Sequence, residues 1–322
     1  MLAVPVGRLR VDGAMWEVSP MAELPDDDEL LAAVRDAGWL LEHHAVRVLD
    51  AAEMHPRAGW AYKDPDEPTI SRELDVWSCR QLLKDESAMV YVTARFLVEC
   101  KQSSLPFVGI GYELPEWRFS ENPTQHLLPC KQVRDANPDL RSAVNQTAWY
   151  ALGFRQLAQE HGETNFRVTQ LSRLDRARGG KWTATNSGIF TSLVYPLAKA
   201  LRASQGSSSP STKPWSNVPQ AAPRNEWLDF GLHFPVVLVS CPLYVVDATD
   251  SEPKVEQRPW FTAQRELKSA STAGTFEIDV VTESAFADYV ANRLAFASSL
   301  AALVGTNPLR FTDEDKPPMS QA

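Results

Sequence analysis

The sequence predicts an α/β fold in which a mixed central β-sheet is flanked by helices, and three observations predict it. Four consecutive acids, Asp26-Asp27-Asp28-Glu29, lead into apolar residues at helical spacing. Met89 to Cys100 is a run of β-branched and aromatic residues that reads as a strand. Helical stretches at 140–160, 186–203 and 283–304 alternate with short apolar runs, the succession that builds a layered α/β domain.

Each element follows from its residues. Residues 1–25 read as an irregular arm. The acids at 26–29 favour the positive end of a helix dipole. Leu30, Leu31, Val34, Ala37, Leu41, Ala45, Val48 and Leu49 then recur as one apolar stripe. After a short aromatic piece, Ala58 to Tyr62, Lys63-Asp64-Pro65-Asp66-Glu67-Pro68 reads as a turn. Ile70 to Trp77 is a strand, and Met89 to Cys100 the next. Residues 103–137, interrupted by Pro106, Pro115, Pro123 and Pro129, read as irregular. The Ser- and Pro-rich stretch 204–225 reads as a mobile insertion. Phe234 to Val246 reads as strand, Cys-Pro turn and strand, and Phe276 to Val281 as a further strand. We read one elaborated domain over 26–310 with a C-terminal elaboration, followed by a flexible tail at 311–322.

Composition excludes several classes. The chain has 322 residues, 44% of them apolar, enough for a sizeable core. A net charge of −9 argues against a polybasic protein that coats nucleic acid. No apolar run approaches the ~20 residues of a membrane helix. The opening MLAVPVGRLRVDG has no continuous apolar core of a signal peptide, so a cytoplasmic location is expected. Cys79, Cys100, Cys130 and Cys241 form no CxxC pair and read as reduced thiols. Asn145-Gln146-Thr147 matches a glycosylation sequon, which without a secretory signal reads as chance.

The chemistry concentrates in residues 70–102. Two strands end in charged residues: Ile70-Ser71-Arg72-Glu73-Leu74-Asp75-Val76-Trp77 and Phe96-Leu97-Val98-Glu99-Cys100-Lys101-Gln102. Residues two apart on a strand share a face, so Glu73 projects with Asp75 and Glu99 with Lys101. If the strands are neighbours, three carboxylates and an ammonium converge. Clustered carboxylates suit Mg²⁺ or Mn²⁺. A lysine beside such an ion orients or deprotonates water, or stabilises charge on a phosphate.

This segment resembles the PD-(D/E)xK nuclease superfamily, the restriction-endonuclease-like fold. Asp75 stands at the motif's isolated acid and Glu99-Cys100-Lys101 at its (D/E)xK element, and the gap between them suits a hairpin. Gly38-Trp39-Leu40-Leu41-Glu42 looks like the first helix of Mrr-like members, whose glutamate joins the site. Gln102 sits where related enzymes carry a polar residue. No proline precedes Asp75, which departs from the motif. The resemblance covers about residues 30–160. It implies Asp75 and Glu99 as metal ligands, with Glu73 or Glu42 assisting, and Lys101 as the group that activates water. It further implies a nuclease acting on DNA rather than RNA in a prokaryotic restriction or antiviral-defence setting, as a homodimer or with a defence-complex partner.

Context selects the triplet. A (D/E)xK triplet also occurs at 252–254, 266–268 and 314–316. Glu252-Pro253-Lys254 has a central proline, Glu314-Asp315-Lys316 lies in the polar tail, and Glu266-Leu267-Lys268 has no apolar strand leading into it. Glu277-Ile278-Asp279 copies the pattern around Asp75, but no such triplet follows it, and it reads as structural. His43 and His44 lie on different helix faces and lack the spacing of a metal pair. For phosphate contact the best stretch is Arg173, Arg176, Arg178, Gly179, Gly180 and Lys181; a plain basic turn is its alternative. Gly109-Ile110-Gly111 lacks a third glycine and is set aside. The alternatives to a nuclease are an inactive nuclease-like module that binds nucleic acid or a partner protein, and an accessory subunit without nucleic-acid contact.

Overall fold

The computed structural model describes residues 24–119, 121–134, 145–177, 179–206, 215–216, 227–269, 271, 273–306, 308 and 312–313. Arg178 and most of the predicted arm, insertion and tail lie outside the described residues. In chain order the first half comprises α1 (Asp27–Asp36), α2 (Trp39–Ala51), β1 (Arg57–Lys63), β2 (Ser71–Asp85), β3 (Val90–Lys101), β4 (Phe107–Glu113), β5 (Gln132–Arg134) and β6 (Asn145–Thr147). The chain continues through α3 (Ala148–Ala151), α4 (Phe154–Glu160), β7 (Phe166–Arg176), β8 (Trp182–Thr185), α5 (Tyr195–Gln205) and β9 (Trp215–Ser216). It closes with β10 (Leu228–Val239), β11 (Leu243–Asp247), β12 (Lys254–Gln257), β13 (Trp260–Lys268), β14 (Ala273–Thr282), α6 (Phe286–Thr306) and β15 (Thr312–Asp313).

The main sheet is large and mixed, in the order β1-β2-β3-β10-β14-β13-β7-β4-β11-β12, with β8 on β7. β1, β2 and β3 form an antiparallel meander, while β10 runs parallel to both β3 and β14. A single residue pair in register, Ala263–Val168, joins β13 to β7. A small second sheet, β15-β9-β5-β6, includes Trp215–Ser216. Part of the predicted insertion is therefore paired strand.

Both faces are covered. α2, α3, α4 and α6 close one face, where Leu49, Phe96, Trp149, Phe234, Tyr289 and Leu300 share a core. α5 closes the other, with Leu97, Leu197, Leu201, Val237 and Phe261. β3 and β10 are buried along almost their whole length because both faces and both edges are occupied.

Several predictions are corrected. The first helical stripe is two helices, because the chain turns at Gly38 in a left-handed conformation. α1 is held by a capping box between Asp26 and Glu29 and buries no residue. The stretch 103–137 contains a full strand, β4. Its glycines hid it; a Cβ on Gly109 would stand 2.7 Å from Val168 Cγ2, so only glycine lets β4 approach β7. The basic turn at 173–181 is the tip of the β7–β8 hairpin. Glu266-Leu267-Lys268 does end a strand, β13. Between 145 and 160 the helix is two short pieces, α3 and α4.

Candidate active site

The site forms where β2 leaves β3. Their pairing runs from Asp85–Val90 to Val76–Val98 and stops there. β2 continues against β1 alone, with Leu74 opposite Trp60 and Glu73 opposite Ala61. The Cys100 N–H is taken up by a side chain instead of a strand, donating to Asp75 Oδ2 at 2.6 Å. This bond pins Asp75 against the end of β3. Glu99 is 8% exposed, and Lys101 Nζ donates to Glu99 Oε1 at 2.8 Å.

Gly59 makes room on the β1 side. It lies between the Ala58–Val76 and Trp60–Leu74 pairs. Its φ of +57° suits glycine, and a Cβ there would stand 3.1 Å from Glu73 Oε1. The Glu73 carboxylate therefore lies over bare backbone.

Glu42 arrives from the opposite direction. α2 buries Leu41, Ala45 and Leu49, which leaves Glu42 half-buried in its first turn. The Gly38 turn touches Gln102, a Cβ on Gly38 standing 3.5 Å from Gln102 Cβ. That contact brings the start of α2 to the end of β3.

The electrostatics tie these groups together. Burial raises the Glu42 carboxyl above its ordinary pKa, the charges of Asp75 and Glu73 raise it further, and Lys101 opposes them. Asp75 is raised by burial, against the pull of the Cys100 N–H and Lys101. Glu99 is raised by burial and then by Asp75, with Lys101 opposing. The Cys100 thiol is pushed up by burial first and then by Asp75, Glu42 and Glu99. Four carboxylates thus share one neighbourhood with one ammonium.

Among the described residues no three His, Cys, Asp or Glu side chains stand close enough to form a metal-binding group as they lie. Asp75 and Glu99 each have one oxygen engaged, by Cys100 and by Lys101. Their other oxygens, and those of Glu42 and Glu73, are hard oxygen donors of the kind that Mg²⁺ or Mn²⁺ prefers. The excess of like charge that raises these carboxyls is what a divalent cation neutralises. In donor type and charge the residues fit such an ion.

Other predicted residues lie elsewhere. Arg173, Arg176 and Lys181 belong to the β7–β8 hairpin, four strands from β3 in the sheet order. Arg173 Nε donates to Asp175 Oδ1 at 3.0 Å, and the Arg176 guanidinium lies 5.8 Å from the Trp182 ring centroid. In the sheet order Arg173, Arg176 and Lys181 thus lie away from the carboxylates. Gln102 is exposed beside Lys101. Glu277 and Asp279 make structural bonds, to Arg167 and to Tyr289.

Tyr62 escaped the sequence reading. It is buried, its hydroxyl donates to the Pro196 carbonyl at 3.2 Å, and its pKa is pushed up to about 12. Burial is the main cause, with Arg72 opposing and Asp64 and Glu99 adding. The alternation of Trp60 with Tyr62 was the signal, since both stack on one face.

The chain matches no protein-family model, no curated protein and no solved structure. No helix among the described residues is long and apolar enough to cross a membrane.

Proposed function

We propose that the protein is a nuclease that hydrolyses phosphodiester bonds, in DNA rather than RNA, with a divalent metal ion. The observation that supports this best is the pinning of Asp75 to the end of β3 beside Glu99 and Lys101. Further support comes from the hairpin that carries them and the helix that brings Glu42, two elements that the resemblance of the sequence to PD-(D/E)xK nucleases implies. Asp75 and Glu99 would hold Mg²⁺ or Mn²⁺, which when bound supplies an activated water and neutralises charge on the phosphate. Lys101 keeps a proton-bearing cation beside those carboxylates, where charge grows on the phosphate. Half-buried Glu42 and exposed Glu73 add negative charge that favours the ion. The deciding experiment incubates purified protein with plasmid and single-stranded substrates, with and without Mg²⁺ or Mn²⁺. Cleavage confined to the metal-containing reactions is expected; its absence from every reaction would overturn the reading.

One observation favours a second reading, an accessory subunit without nucleic-acid contact. The Arg173–Lys181 hairpin stands four strands from β3 in the sheet order, away from the carboxylates. Absence of both nucleic-acid binding and metal-dependent cleavage would select this reading.

The raised carboxyls give a pH test. A carboxyl whose folded pKa is raised stabilises the fold when protonated, and that contribution is lost as pH rises through the folded value. Glu42, Asp75 and Glu99 therefore favour the fold below about pH 4 and oppose it once ionised. Mn²⁺ is expected to raise the melting temperature at pH 7.5 and to do so much less at pH 4.5. An equal shift at both values would show that the ion binds elsewhere.

Glu42→Gln is expected to weaken Mn²⁺ binding and slow cleavage while the thermal melt barely moves, because the amide fills the same half-buried space. Calorimetric titration with Mn²⁺ checks it. Unchanged affinity and rate would return Glu42 to a solvated helix face.

A further inference from the structure

The edge of β10 that faces β14 is only partly paired. β10 runs beside β3 from Leu228 to Val239, but beside β14 only from Val236–Asp279 onward. Upstream of Val236 a short segment between Pro123 and Pro129 covers that edge instead. Leu127 and Gly231 exchange both backbone bonds, at 2.8 and 2.9 Å. Thr124 Oγ1 donates to the Thr275 carbonyl of β14, and Gln125 Nε2 donates to Glu277 Oε2 at 3.4 Å. From α5, Gln205 Nε2 donates to the Thr124 carbonyl at 3.1 Å. The segment thus stands in for a strand between β10 and β14.

One bond of this substitute depends on protonation. The His233 N–H donates to a ring nitrogen, His126 Nδ1, at 3.3 Å, where a neighbouring strand would offer a carbonyl. A carbonyl accepts at any pH, but an imidazole nitrogen accepts only while unprotonated. The His126 ring packs against Trp149 and Phe234, with centroids 5.0 and 5.8 Å away. His233 is fully buried and under the same constraint. Arg95 Nη1 lies 3.3 Å from His233 Nε2, and the Gly231 carbonyl lies 3.1 Å from Nδ1. A guanidinium only donates and a carbonyl only accepts, so Nε2 accepts and Nδ1 carries the single proton. A second proton would set an N–H against Arg95.

The surrounding charges do not offset that cost. Arg95 faces His233 from β3 and is paired with Asp229 of β10 at 3.7 Å. Arg293 of α6 and Asp279 of β14 face His126 and are paired at 3.2 Å. Glu163 and Glu277, which line the same cavity as both rings, are each held by Arg167 at 2.7 Å. Each of these carboxylates therefore already has a cation. The cavity, about 50 Å³, has room for water to deliver a proton. Burial holds both rings below the ordinary histidine value. Arg293 adds to this at His126, against Asp279 and the His233 backbone; Arg95 and His126 add to it at His233, against the backbone of Gly231 and Ser204. With the folded values lowered, the stabilising contribution is complete above the unfolded value of about 6.5 and is lost as pH falls below it.

We propose that segment 124–128 is an acid-released latch, closed on β10 while His126 and His233 are neutral and opened when they take up protons. The test follows hydrogen exchange of the Leu127, Gly231 and His233 amides in the full chain at pH 7.5 and 5.5. Rates are corrected for intrinsic exchange, and amides of the β2–β3 ladder serve as the reference. Uptake of two protons by histidines of ordinary pKa makes opening about 100-fold more favourable at the lower pH. Protection of the three amides is expected to fall by about that factor while the reference changes far less. His126→Asn places an amide Oδ1 where Nδ1 stood and does not titrate. It is expected to keep the protection at pH 7.5 and to reduce the fall to about 10-fold. If that variant does not fold, the wild-type fall against the reference ladder decides. The proposal is overturned if the three amides lose less than about 10-fold in the wild type, if the reference ladder loses as much, or if His126→Asn falls as far as the wild type.

Discussion

Lys101→Ala is expected to abolish cleavage while Mn²⁺ and nucleic-acid binding persist. The substitution removes no carboxylate, so the ligand set of Asp75 and Glu99 survives. What disappears is the ammonium that donates to Glu99 Oε1 at 2.8 Å and that, on the proposed reading, would face the charge growing on the phosphate. A positioned proton-transfer group is worth roughly 10²–10⁴ in rate, and an electrostatic stabiliser a similar factor. Asp75→Ala should behave differently, losing metal affinity and cleavage together. It also releases the Cys100 N–H from its partner, so a lower melting temperature should accompany it. The contrast excludes a co-purifying nuclease, which is indifferent to both changes. Equal cutting by wild type and Lys101→Ala would remove the catalytic role of the lysine.

Asp64→Ala is expected to cause the largest loss of stability. Asp64 is fully buried and sits where the β1–β2 turn meets α5. Lys199 Nζ donates to its two oxygens at 3.0 and 2.7 Å, Arg72 Nε donates to Oδ2, and the amides of Asp66 and Glu67 donate to Oδ1 at 2.8 and 3.2 Å. Burial alone would raise its pKa, but these donors hold it well below the carboxylate range. Removing the carboxylate strands the half-paired Lys199, which keeps only Asp66 at 3.3 Å. Breaking such a pair costs about 3 kcal/mol, or roughly 5–10 °C in melting temperature for a domain of this size. The sign with pH follows from the lowered value. The contribution is present above an unfolded pKa of about 4 and is lost as pH falls through the folded value. Wild type should therefore lose stability steeply below about pH 4, and Asp64→Ala less so. A melt unchanged by the substitution would show that the turn is held by other bonds.

By itself the sequence determined the α/β class and the strands that announce themselves. Met89–Cys100 and Phe234–Val239 are legible because a strand buried on both faces must be β-branched, aromatic or aliphatic throughout. The acids and the lysine at its end were legible as exceptions to that rule. The helix start at Asp26 was legible because capping is local chemistry. Tertiary structure decided the rest. β4 and β13 were hidden, one by glycines needed for close approach to β7 and the other by its polar partner residues. That Asp75 meets the end of β3 depends on where the β2–β3 ladder stops, a long-range event with no local mark in the chain. The remoteness of Arg173, Arg176 and Lys181 depends on strand order, which composition cannot encode. Periodicity fixes which face a residue takes; only packing fixes which other residues that face meets.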